Sequence, residues 1–273
     1  MIDARDFVGA QRMTCERNGF ELLDAPLADE NLDFFDHQQV VDRYYPECEA
    51  LVANATGGRA FAFDHNLRSA QGKNANTRIA GGQTVQGPAK MVHGDYTLTS
   101  APQRLRDLAQ PPKVNDTYRS KLAAGESLIP PALAESALAP GGRFAIINVW
   151  RSIAAEPVQI NPLAMCDGQT VNPQDLVVFE IHYADRIGEN YFARHDEAHR
   201  FYYFSRMTRS EAMLLKQWDS AGGLAQSDGE RSDAAAGGGA CTFSFHSAFD
   251  DVNAADDAPD RLSIEVRCMV IYP

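Results

Sequence analysis

The chain has 273 residues, 37 acidic against 25 basic, and a formal net charge of -12. Such a field repels a phosphate backbone, which excludes nucleic acid as a partner. No run approaches the roughly 18 apolar residues that a helix across a bilayer needs, so a membrane partner is excluded as well. The start, MIDARDFVGA, carries acids early and does not read as a secretory signal. This length can bury a sizeable core. We expect a single domain over 1–273, with an N-terminal helical and strand elaboration over 1–87 and a β core over 88–273. Cysteines at 15, 48, 166, 241 and 268 are odd in number and lack CxxC spacing, so no disulfide framework or zinc knuckle is expected. They read as small buried hydrophobes in a reducing, cytoplasmic compartment.

In chain order, GGRAFAFDH (57–65) alternates Arg59, Phe61 and Phe63 with small residues and reads as a strand. MVHGDYT (91–97) sets His93 and Asp95 two apart; on an extended strand both side chains point one way and Gly94 the other. A polar, proline-bearing segment follows to residue 140. GGRFAIINVWRSI (141–153) reads as a buried strand opened by a Gly-Gly turn, and QDLVVFEIHYADR (174–186) as another strand. In ARHDEAHR (193–200), His195 and His199 have the spacing of a metal pair but lack the glutamate of HExxH, so zinc is rejected there. TRSEAMLLKQWDS (208–220) places Thr208 three residues before Glu211, then Ala212, Leu215 and Trp218 at helical intervals, which predicts a helix. The Gly/Ala/Ser/Asp-rich stretch 221–240 predicts a flexible loop that adds nothing to a core. CTFSFHSAF (241–249) and RLSIEVRCMVIY (261–272) alternate and read as the last two strands. The sum is a mainly β chain with flanking helices, a sandwich or jelly roll rather than a βαβ repeat.

The chemistry starts at His93 and Asp95. Two imidazoles and one carboxylate on one side of an iron ion leave its other side open for reaction. The third donor must come from elsewhere in the chain, and His246, centred in FSFHSAF, is the best candidate. An HxD pair alone is weak evidence, since a polar turn explains it as well. On the last strand, Arg261, Ser263, Glu265 and Arg267 share one face. A solvated face is the plain explanation; the pointed one is a guanidinium and hydroxyl that together grip a carboxylate.

The order His93-x-Asp95, His246, Arg261-x-Ser263 resembles the Fe(II)/2-oxoglutarate-dependent oxygenases. The surrounding text resembles one branch, the 7α-cephem methoxylase-like and gibberellin desaturase-like family. It is carried by YYPECEALV (44–52), FDHNLRS (63–69), VHGDYT (92–97), NVWRS (148–152), PLAMCD (162–167), EAMLLKQWDS (211–220), FHSAF (245–249) and RLSIEVR (261–267), in order along nearly the whole chain. Ser152 stands where that family usually has proline, and 221–240 is longer than usual. The resemblance implies a double-stranded β-helix core of the jelly-roll, cupin-like kind, with Fe(II), 2-oxoglutarate as co-substrate and O2. It implies hydroxylation or desaturation of an unactivated C–H in a small molecule, within secondary-metabolite biosynthesis.

Carried over residue by residue, His93, Asp95 and His246 are the catalytic metal ligands, and Arg261 with Ser263 clamps 2-oxoglutarate. Arg267 is a rival clamp, and Tyr96 either donates to the co-substrate or packs. Arg151, Asn148, Trp150, His65 and Arg68 are candidates for binding substrate, for which the arginines suggest a carboxylate. For Arg151 a structural ion pair is an equal reading, and for His65 a hydrogen-bonded structural role is the stronger one. A homodimer is left open. The alternative is a non-catalytic jelly-roll module that binds a small molecule. A methyltransferase is rejected, because PGGRF (140–144) precedes a strand and not a helix.

Overall fold

A computed structural model describes residues 1–182, 187–227, 229–236 and 239–273. Its strands are β1 (Ile2–Asp3), β2 (Phe20–Asp24), β3 (Arg59–Arg68), β4 (His93–Gly94), β5 (Phe144–Ser152), β6 (Leu163–Cys166), β7 (Leu176–His182), β8 (Ile187–Ala193), β9 (Phe201–Tyr203), β10 (Glu211–Asp219), β11 (His246–Ala248) and β12 (Ser263–Ile271). They form a five-stranded sheet in the order β2-β10-β5-β12-β3 and a seven-stranded sheet in the order β1-β9-β6-β11-β4-β8-β7. The sheets face each other as in a jelly roll. Phe20 of β2 meets Tyr202 of β9 at 5.9 Å between ring centroids, and Trp218 of β10 stacks on Phe243 at 6.3 Å. Residues 1–87 supply β1, β2 and β3 to these same two sheets.

The outer face of the five-stranded sheet is covered by the helix Tyr45–Thr56. Proline in its first turn is pre-set for helical φ, and Gly57 at φ 71° ends it in the left-handed region. Its buried Tyr45, Cys48 and Val52 join a hydrophobic cluster with Ala62, Val149, Ile264 and Val266.

Register sorts the residues on the sheet's two faces. β12 pairs with β5 through Ser263↔Ser152, Glu265↔Trp150 and Arg267↔Asn148. It pairs with β3 through Ser263↔Arg68, Glu265↔Asn66 and Arg267↔Asp64. Directly opposite residues share a face, so these nine side chains form three rows turned toward the second sheet. His65, Val149, Arg151 and Ile264 alternate onto the helix side.

The predicted helix over 208–220 is overturned: 211–219 is β10, the second strand of the sheet, antiparallel to both β2 and β5. Eight of its nine residues are buried, and burial between two strands outweighs the helical preference of Ala, Met, Leu and Lys. The Thr208–Glu211 pair forms all the same, closing a turn: the Thr208 N–H donates to Glu211 Oε2 at 2.9 Å. The stretch 221–240 does reach the core. Leu224 enters the main hydrophobic cluster, and buried Asp233 accepts from the Leu224 N–H (3.2 Å), the Thr242 N–H (2.8 Å) and Thr242 Oγ1 (2.8 Å). Of 174–186, residues 176–182 form β7, and 183–186 lie outside the described residues. Of 241–249, only 246–248 are in a ladder.

Candidate metal centre

His93 lies on β4 and His246 opposite it on β11, in direct register. Asp95 follows β4 by one residue. Between His93 and Asp95, Gly94 packs against Phe243, and a Cβ there would come within 3.2 Å of the ring, so a larger residue would push the ring aside. One ligand atom from each of His93, Asp95 and His246 lies within 4.8 Å of the others. Nε2 of His93 is 3.6 Å and Nε2 of His246 4.0 Å from the same oxygen, Oδ1 of Asp95. These gaps exceed hydrogen-bond length and leave room for a cation between the three atoms.

The supporting contacts leave that set free. Nδ1 of His93 lies 2.7 Å from the Met91 carbonyl and Nδ1 of His246 3.4 Å from the Ser244 carbonyl. A proton on each Nδ1 satisfies the carbonyl and leaves both Nε2 lone pairs facing Asp95. Burial, then His93, pushes the His246 imidazole down to about 3, so it is neutral at pH 7, as a metal ligand must be. Asp95 divides its carboxylate. Oδ2 accepts from Arg267 Nη2 (3.2 Å), Arg267 Nε (3.3 Å) and Asn148 Nδ2 (3.4 Å), which leaves Oδ1 to the histidines. Burial works to raise the Asp95 carboxyl, and Arg267, His246 and His93 overcome it, holding it well below the usual carboxylate range. Two imidazoles and one carboxylate are the donor set that suits Fe(II) with open positions.

Beside it lies a cradle of unpaired polar groups. Arg261, 2% exposed, donates through Nη1 to the Asn161 carbonyl at 2.5 Å, while its Nε and Nη2 have no partner. Ser263 Oγ and the facing Ser152 Oγ are also buried and unpaired. The Arg261 guanidinium packs over Trp150, 5.7 Å from the ring centroid. Burial, then the charge of Arg68, lowers it to about 10. A buried cation with two idle donors and two idle hydroxyls is a receptor for a carboxylate. Arg267, the rival, contacts Asp95, Asp64 (3.2 Å) and Glu265 (3.1 Å). With three carboxylates around it, Arg267 orients Asp95 and offers little to a fourth.

The remaining candidates divide by face. Asn148, Trp150 and Arg68 lie on the inner face with the metal set. Tyr96 stands near Arg267 and Arg104, its phenol pushed up to about 12 by burial. Arg151 is a correction: it lies on the helix side, fully buried, and donates to Tyr44 OH (2.9 Å), the Ala25 carbonyl (2.5 Å), the Arg209 carbonyl (2.8 Å) and Glu47 (3.1 Å). Those contacts tie β5 to the helical layer and leave Arg151 unavailable to a substrate. His65 is likewise on the helix side. Its Nδ1 meets Tyr45 OH at 2.9 Å, its ring stacks on His37, and burial lowers it to about 4. His199, rejected above as a zinc ligand, pairs with buried Asp175 at 3.0 Å.

Sequence reasoning missed Ser152, Asn161 and Gln217, whose Oε1 accepts the Asp95 N–H at 3.2 Å. Ser152 was within reach, being two and four residues past Trp150 and Asn148 on the same face. Gln217 was hidden by the helix assignment, and Asn161 carries no pattern at all.

Residues 2–271 match a family described as oxidoreductase/YMDC permease-like domain. Among the described residues no helix is long and apolar enough to cross a membrane. The chain is 43% identical over 152 residues to an uncharacterized protein in the dcmA 3′ region of Methylophilus leisingeri, covering 55% of this chain and 68% of that one. It is 27% identical to the alpha-ketoglutarate-dependent dioxygenase tstK of Talaromyces stipitatus, over 96% of this chain and 80% of tstK. It is 26% identical to the hydroxylase/desaturase efuI of Hormonema carpetanum, over 94% and 78%. Among solved structures, the iron and alpha-ketoglutarate-dependent endoperoxidase NvfI superposes with a TM-score of 0.72 at 26% identity, covering 99% of this chain and 82% of NvfI.

Proposed function

From the premise that this chain belongs to the oxidoreductase/YMDC permease-like domain family, we propose that His93, Asp95 and His246 hold Fe(II) and that Arg261 with Ser263 holds 2-oxoglutarate. The chain is a 2-oxoglutarate-dependent dioxygenase, like the relatives named above. The observation that carries the ligand assignment is the shared oxygen: both imidazole Nε2 atoms face Oδ1 of Asp95, while Arg267 and Asn148 occupy Oδ2. Fe(II) held by His93, Asp95 and His246, with 2-oxoglutarate at Arg261 and Ser263, would supply O2-driven oxidation of a substrate C–H, the oxo acid going to succinate and CO2. The chain's own residues bind and orient. Arg267 and Asn148 hold the carboxylate plane, and Gln217 holds the Asp95 backbone. Arg261, Ser263 and Ser152 receive the distal carboxylate, and Trp150 walls its guanidinium from water. Such positioning sets whether the product is an alcohol or an alkene.

We read the substrate as a small, carboxylate-bearing molecule of secondary metabolism, and the whole chain as one oxygenase domain, because one hydrophobic cluster runs from Cys15 to Ile271. The cytoplasm is the compartment we assign, since all five cysteines are free and buried, as a reducing environment keeps them. No relative named above supports a non-catalytic binding module.

The test is an anaerobic titration of the full chain with Fe(II) and 2-oxoglutarate. A metal-to-ligand charge-transfer band is expected, and Asp95→Ala or His246→Ala abolishes it. A normal band in both variants sinks the ligand assignment.

A further inference from the structure

A cleft of about 680 Å³ is lined by Arg68, Lys73, Asn76, Gln83, Gln86 and Pro88 among others. No acid lines it, in a chain with twelve more acids than bases. Arg68 and Lys73 converge on one peptide. Arg68 Nη1 donates to the Gly87 carbonyl at 3.0 Å, and Lys73 lies back across the Gly87 Cα, where a Cβ would meet its Cδ at 2.7 Å and its Nζ at 3.6 Å. A lysine serving only solubility extends into water; this one folds toward a second cation. Neither side chain has a carboxylate partner among the described residues. Two like charges gathered without a counter-charge repel, and an arriving anion relieves that repulsion.

Arg68 also belongs to the inner face. It stands opposite Ser263, and its charge acts on Asp95, His246 and Arg261. The cleft wall is tied to the histidine strand, because the Ala89 carbonyl accepts from the Ala248 N–H at 2.7 Å, two residues beyond His246. A bare inorganic anion would fill little of this volume, whereas an organic acid has the size to fill it.

We propose that Arg68 and Lys73, brought together at Gly87, form the subsite for the substrate's carboxylate, separate from the co-substrate cradle at Arg261. This assignment rests on the oxygenase reading above. It makes Arg68 a residue that fixes which end of the substrate enters last, leaving the opposite end nearest Asp95.

The test uses the full chain loaded anaerobically with Fe(II) and 2-oxoglutarate, so that the Arg261 cradle is filled. Acylation of Lys73 by a succinimidyl ester is followed by peptide mass spectrometry, with hexanoate or neutral hexanamide as the probe. Lys90, ion-paired with Asp250 on the surface, is the internal reference. Hexanoate is expected to slow Lys73 acylation saturably and leave Lys90 unchanged, while hexanamide does neither. Arg68→Gln weakens the protection roughly tenfold, as loss of a charge-assisted contact does. Should that variant fail to fold, Lys73→Gln alters only an exposed side chain, and its hexanoate affinity by calorimetry falls by a similar factor. Protection by acid and amide alike, protection of Lys90 as well, no protection, or unchanged affinity in Lys73→Gln each overturns the proposal. Loading is read separately from the charge-transfer band. A missing band sinks the oxygenase reading, whereas a band with Lys73 unprotected sinks only the carboxylate subsite.

Discussion

Arg261, two residues before β12, and Arg267 within it are six residues apart, yet their surroundings assign them different work. Arg267 is compensated by Asp95, Asp64 and Glu265, whereas Arg261 is buried with Nε and Nη2 idle. Losing a charge-assisted contact costs about 1.5–3 kcal/mol, roughly tenfold or more in affinity. Arg261→Gln is therefore expected to raise KM for 2-oxoglutarate by at least about tenfold while Fe(II) affinity stays near wild type. Arg267→Gln is expected to do the reverse, because it frees Oδ2 of Asp95 and loosens the ligand. Steady-state kinetics with varied oxo acid, alongside Fe(II) titration, separates the two; a larger co-substrate defect in Arg267→Gln reverses the assignment. At this scale the nearness of His93 and Asp95 was legible from their spacing, and His246 joins them in the structure. The face that Arg151 takes was not legible. All nine positions of β5 are buried, so no polar alternation in NVWRS tells the inner face from the helix side.

β10 is the element that the sequence misrepresents, and its stability has an electrostatic root. Asp219 ends the strand with no exposure, bonded to Lys216 Nζ (2.9 Å), Arg143 Nη2 (2.7 Å) and Arg143 Nε (3.0 Å). A ladder shift between Lys216 and Trp218 lets Lys216 reach Asp219, a contact three residues apart that on paper looks helical. Burial works to raise the Asp219 carboxyl, and Lys216 with Arg143 outweighs it, leaving it below the usual carboxylate range. A depressed folded-state value means the stabilisation is complete above the unfolded value, about 3.9, and fades as pH falls through the folded one. Asp219→Asn leaves Lys216 and Arg143 with only the half-exposed Glu16 as a carboxylate partner among the described residues and is expected to cost about 3 kcal/mol at pH 7. Denaturant melts from pH 7 down to pH 2 test this. The gap between wild type and variant should narrow below about pH 4, and a gap independent of pH assigns the loss to packing.

At the scale of the molecule, the fold was legible as two packed sheets because β3, β5 and β12 announce themselves as alternating or wholly apolar runs. What no single strand announces is that the proposed site is divided between the sheets. His93 and His246 belong to β4 and β11 of the seven-stranded sheet, with Asp95 one residue past β4, whereas Ser263 opens β12 in the other and Arg261 precedes it by two residues. On the proposed assignment, Fe(II) alone would be held by neighbouring strands of one sheet, and 2-oxoglutarate would add contacts from the other. Ligand at about 100 times its Kd stabilises a fold by about 2.7 kcal/mol, and for a chain of this size each kcal/mol moves Tm by about 2–4 °C. Calorimetry under anaerobic conditions should therefore register two increments, one for Fe(II) and a second of roughly 5–10 °C when 2-oxoglutarate is added. In Arg261→Gln the first increment persists and the second shrinks. A second increment that survives in Arg261→Gln places the co-substrate's far carboxylate on some other cation, and Arg68, on the same inner face, is the next one to remove.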